Sequence, residues 1–87
     1  MKEVNLEGLI EAKVWRIFRT FLDHPQKIFH LNSVAQAAKV PVSSAQRIVK
    51  NLAKHGFIEA LKVGKLNLYR LADNEKTKKI KEVTHGK

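Results

Sequence analysis

The chain has 87 residues, 44% of them apolar, and carries 17 Lys+Arg against 8 Asp+Glu, a formal charge of +9. That length bounds it to one small domain whose core covers a limited share of its surface, and the apolar share excludes a basic disordered tail. With no cysteine, disulfides and thiolate metal sites are excluded and an intracellular setting is favoured; no apolar run approaches the about 20 residues of a membrane span, and no signal-peptide pattern follows Met1.

Asn5 to Asp23 reads as the first helix. Asn5 suits an N-cap, Glu7 suits the positive end of a helix, and Pro25 forbids much extension. Its apolar residues, from Leu6 to Leu22, spread over about two-thirds of the circumference, wider than one packed face requires. Either the helix sinks deeply into its own core, or part of it meets a second copy of the chain. Lys27 to His30 is a brief strand or extended link after the proline turn.

Leu31 to Ala38 has helical spacing at Leu31, Val34, Ala35 and Ala38, with His30 capping or preceding it, and its alanines allow another helix to approach closely. Lys39-Val40-Pro41 is a very short turn. Pro41 to Lys54 is then a second helix, started by a proline and stopped by Gly56. Ala45, Ile48, Val49 and Leu52 form its dry side. Ser43, Arg47, Lys50 and Lys54 fall on the opposite side, flanked by Ser44, Gln46 and Asn51. No acid occurs in this helix, and from His24 to Ala72 one acid, Glu59, stands against eight bases. Such a positive centre, with hydroxyls, amides and a guanidinium on one helix face, suits a polyanion whose bases and phosphates are read in a groove.

The period then changes to that of strands. Residues 57–62 and 66–71 flank Val63-Gly64-Lys65, which reads as a hairpin with a tip of about three residues, Lys62 and Lys65 projecting from it. Asp73 looks like the cap of a last, lysine-rich helix from Asn74 to about Thr84, whose thin apolar stripe is Ile80 and Val83 with Thr77 beside them.

Helix, short strand, helix, turn, helix, hairpin, helix is a mainly α arrangement with a small β-hairpin (α+β). The runs His30-Leu31 to Val34-Ala35, Val40-Pro41 to Val49, Leu52 to Glu59 and Tyr69-Arg70-Leu71 resemble the signature of winged helix-turn-helix transcriptional regulators of the MarR, ArsR and IclR types, over about residues 12–72. The resemblance implies one winged helix-turn-helix domain over 1–87. The helix at 41–54 is then the recognition helix in the major groove of double-stranded DNA, and the wing at 57–71 touches the minor groove or the backbone. It also implies a homodimer, assembled through Trp15, Phe18, Leu22 and the C-terminal helix at 73–84. The DNA-contacting residues expected are Ser43, Ser44, Gln46, Arg47, Lys50 and Lys54 on the helix, and Lys62 and Lys65 on the wing. Pro41 departs from the Ser or Thr cap that many members place there.

No histidine pair has the i, i+4 spacing of a zinc site, and no nucleophile–base pair or phosphate-binding glycine loop is present, so neither a metal, a cofactor nor catalysis is expected. The setting implied is the cytoplasm, on the nucleoid, with no membrane partner. Two alternatives stand beside the sequence-specific regulator: an architectural chromatin protein with little sequence preference, and a winged-helix module that binds protein. An RNA partner is left open.

Overall fold

A computed structural model describes residues 11–85. Their order is α1 (Ala12–Asp23), β1 (Phe29–His30), α2 (Leu31–Ala38), α3 (Val42–Lys54), β2 (Ile58–Val63), β3 (Leu66–Leu71) and α4 (Glu75–His85). This is the expected α+β order, and β1 joins the hairpin in a three-stranded antiparallel sheet of order β1-β3-β2.

Among the described residues, the helix that ends at Asp23 begins at Ala12. Glu11, at φ −47 and ψ 138, is outside helical geometry, and its carbonyl accepts the first helical bond from the Trp15 N–H at 3.1 Å. Asn5 and the apolar positions 6, 9 and 10 lie outside the described residues. Within α1, Ile17, Phe18, Phe21 and Leu22 are buried among residues from α2, α3 and the sheet. Phe18 is 6% exposed and Leu22 1% exposed, so these two, expected at a dimer interface, are instead core residues of the protomer. The described apolar positions from Ile17 to Leu22 are thus taken up by neighbours within the protomer. Trp15 remains half-buried, edge-on to Phe18 at 6.5 Å between ring centres.

Both helices of the central pair end in the same backbone device. At the end of α2, the Val40 N–H reaches the Ala35 carbonyl and the Lys39 N–H the Gln36 carbonyl. At the end of α3, Phe57 reaches Leu52 and Gly56 reaches Ala53. These paired bonds define a Schellman ending, which needs one left-handed residue. Gly56 supplies it at φ +82 and, against the usual preference, Lys39 supplies it at φ +58. The next residues, Val40 and Phe57, then turn inwards onto the core. Arg16 of α1 fixes the first ending from outside, its Nε donating to the Ala38 carbonyl at 3.0 Å.

His30 begins α2 as expected, its Nδ1 accepting the Asn32 N–H at 3.2 Å. Pro41 stands one position earlier than a first helical residue. At ψ 146 it is the N-cap of α3, with no side-chain cap bond.

The hairpin tip is tighter than the three residues expected. Val63 pairs with Leu66, which leaves Gly64 and Lys65 as a two-residue turn with Gly64 at φ +60. Glycine at the first central position is the pattern of a type II′ turn, whose twist matches the strands it joins. Ile58, Tyr69 and Leu71 are buried at the base of the sheet, while the distal part of the hairpin stands free.

At the start of α4 the cap is Asn74 rather than Asp73. Its Oδ1 accepts the Thr77 N–H at 3.0 Å, and the Asn74 N–H donates back to Thr77 Oγ1 at 3.2 Å. This reciprocal pair satisfies two N–H groups that a helix start leaves open. Ile80 packs on the core beside α1, whereas Val83 is 78% exposed.

Candidate nucleic-acid interface

The geometry of α3 follows from its period. Ala45, Ile48, Val49 and Leu52 are buried, and Ser43, Gln46, Arg47, Lys50, Asn51 and Lys54 are exposed. Ser44 is half-buried and so offers less of itself than its neighbours. The first turn of α3 holds no acid and no side-chain cap, so the positive end of its dipole is not offset within the helix. Four of the expected contact residues, Ser43, Arg47, Lys50 and Lys54, therefore form one exposed row along a helix anchored by a dry face.

Although the helix itself holds no acid, the row does meet a carboxylate from elsewhere in the chain. An Oε atom of Glu11, at the head of α1, lies 3.8 Å from an Nη atom of Arg47. Charge spacing along the chain could not reveal this pair, because the packing of α1 beside α3 creates it.

On the wing, Lys62 and Lys65 are exposed as expected. Between them the tip presents Val63 and Leu66, 59% and 50% exposed, which the sequence reading did not single out. Lower on the same sheet, Arg70 Nε donates to Glu59 Oε1 at 2.8 Å across the registered pair of β3 and β2. Glu59, the acid within the basic centre, is thus occupied by a wing base.

Two further basic residues take opposite roles. Lys39 stands exposed in the turn between α2 and α3, a position with no sequence signal because a left-handed residue is more often Gly or Asn. Lys76 is structural: its Nζ donates to the His55 carbonyl at 2.7 Å and sits 5.0 Å from the centre of the Phe57 ring. His55 Nδ1 donates to the Asn51 carbonyl at 2.9 Å. Tyr69 is buried in the core and is not a stacking platform. Among the described residues no group of His, Asp or Glu is arranged to hold a metal ion, and no helix is long and apolar enough to cross a membrane.

A two-helix unit with a tight turn, a basic exposed face on its second helix and a lysine-bearing hairpin is a winged helix-turn-helix. The family model of the IclR helix-turn-helix domain matches residues 12–62. The fold is shared with a domain from Mycobacterium bovis, described as homodimeric, winged helix-turn-helix and DNA-binding, and as a possible ArsR-family transcriptional regulator. Identity is 19%, over 91% of this chain and 69% of that one, with a TM-score of 0.68. HlyU from Vibrio cholerae gives 16% identity over 92% of this chain and 83% of its own, at a TM-score of 0.70. A MarR family transcriptional regulator from Silicibacter pomeroyi gives 16% over 87% of this chain, at 0.66, and there the chain spans only 52% of the other protein's length. No curated protein matches.

Proposed function

Since the chain belongs to the IclR helix-turn-helix domain family, matched over residues 12–62, we propose that it is a DNA-binding transcriptional regulator that acts as a homodimer. The observation that carries this reading is the exposed row Ser43, Arg47, Lys50 and Lys54 on a helix whose other side is locked into the core. In this reading α3 enters the major groove, where Arg47 faces guanine edges or phosphate and Ser43, Ser44, Gln46 and Lys50 read or hold what lies beside it. Lys54 and the wing lysines Lys62 and Lys65 take phosphates. The whole chain, 1–87, acts as one winged module, and it works on the nucleoid without membrane or cofactor. The homodimeric description of the similar Mycobacterium bovis domain supports a two-fold assembly. Two recognition helices would then meet half-sites about one helical turn apart.

Fluorescence anisotropy tests this with duplexes selected from a random pool against scrambled duplexes. A selected duplex bound at least tenfold tighter supports the regulator. Equal affinities favour the second reading, an architectural protein with little sequence preference. That reading has its own support: 13 of the 17 basic residues are lysine, a point charge suited to phosphate, and the one arginine of the row stands beside Glu11.

A further inference from the structure

The Glu11–Arg47 contact joins the head of α1 to the middle of the helix proposed to enter DNA. We propose that Glu11 is a determinant of DNA affinity that acts through Arg47. It stands beside the guanidinium in the free protein, so the duplex must displace it. This rests on the DNA-binding reading above.

The contact is loose in geometry. One Oε approaches one Nη at 3.8 Å, and the two side chains are 61% and 62% exposed. It is not the two-bonded fork that would fix an arginine, and water screens it, so it can open at modest cost. Its position nevertheless matters more than its strength. Arg47 is the sole arginine on the exposed row, and its fork is the group there able to take two acceptors of one base or phosphate. While Glu11 is beside it, one charge of the row is locally cancelled, and a carboxylate stands where phosphate oxygens would approach. The other acids with ion pairs given by the structure face elsewhere: Asp23 faces Arg19 at 3.5 Å within α1, and Glu59 faces Arg70 on the wing. Glu11 therefore tunes the protein towards weaker, more readily reversible binding. It does so for every duplex alike, because the contact must open in each complex.

Anisotropy titrations over a salt series with a selected and a scrambled duplex test this on the full chain. Glu11→Gln keeps the size and one acceptor oxygen but removes the charge. It is expected to bind both duplexes about two- to fivefold tighter at low salt, with the salt slope steeper by about one unit. In an Arg47→Ala background the same substitution should give less than half of that gain. A Glu11→Gln protein with unchanged or weaker affinity overturns the inference, as does an equal gain with Arg47 absent. If the unmutated chain binds no duplex at low salt, the DNA-binding reading falls first and this one with it.

Discussion

The side-chain amide of Asn74 donates to the Gly56 carbonyl at 2.9 Å, so the residue that starts α4 also closes the end of α3. The same side chain caps α4 through its Oδ1, and Lys76, within the first turn of α4, reinforces the joint by donating to the His55 carbonyl. Two helix ends with opposite dipoles are thereby satisfied by one another. Asn74→Ala should lose both functions of the side chain and cost about 1–2 kcal/mol. Asn74→Asp should cost less, because a carboxylate still caps α4 while only the bond to Gly56 is lost. Urea unfolding of the two variants gives that order directly, and an Asp variant as unstable as the Ala variant would assign the whole effect to the tie between helices.

Thr77 tests the other half of that cap. Its buried hydroxyl donates to the Ala72 carbonyl at 2.6 Å and accepts the Asn74 N–H. Valine has the same shape without the hydroxyl, so Thr77→Val leaves a buried carbonyl without its donor. The expected cost is about 1–3 kcal/mol, read as a fall in the urea midpoint at unchanged slope.

Gly56 and Lys39 occupy equivalent left-handed positions at the ends of α3 and α2, and substitutions at the two should act in opposite directions. A Cβ built on Gly56 would approach the Lys76 Nζ at 3.7 Å, an ordinary contact, so backbone strain at φ +82 decides the cost. Gly56→Ala is expected to lose about 1 kcal/mol. Lys39→Gly relieves the same strain and should gain about 0.5 kcal/mol. Thermal unfolding shows both signs in one experiment.

Local rules made much of this fold legible. The boundaries of α2 follow from the spacing of Leu31, Val34, Ala35 and Ala38, and the stop of α3 from the need for Gly56. The buried and exposed sides of α3 follow from its period. What escaped reading depends on partners distant in the chain. Glu11 meets Arg47 only because α1 crosses beside α3, and Arg70 takes Glu59 only through strand register. Val63 falls in the loop that Gly64 predicts, yet strand pairing carries it and Leu66 to the exposed tip. Asn74, rather than Asp73, is the cap because α4 begins at Glu75, and its amide also serves the Gly56 carbonyl, which a carboxylate cannot.

The burial of Phe18 and Leu22 separates folding from association. Leu22→Ala should create a cavity in the protomer and cost about 2–5 kcal/mol. Val83, exposed on α4, has no such role. In the homodimer proposed, Val83→Asp places a charge on the α4 surface and should raise the dimer dissociation constant at least tenfold with little change in melting temperature at high protein concentration. Sedimentation velocity with parallel melting curves checks this. A variant that stays fully dimeric would move the interface away from α4.

Arg47 and Lys65 distinguish base reading from phosphate holding. Arg47 carries the fork that can match the two acceptors of a guanine, so Arg47→Ala should narrow the binding free-energy gap between selected and scrambled duplexes by about 1–3 kcal/mol if it reads a base. Lys65 lies in the two-residue turn of the wing, exposed and remote from the groove floor that α3 would enter. Lys65→Ala should therefore weaken both duplexes by the same factor and flatten the salt slope by about one unit, one released counterion per lost phosphate contact. The two variants measured on the same pair of duplexes give a two-by-two comparison. If Arg47→Ala behaves as Lys65→Ala does, shifting both affinities equally, then the row on α3 holds the backbone and the architectural reading gains over the sequence-specific one.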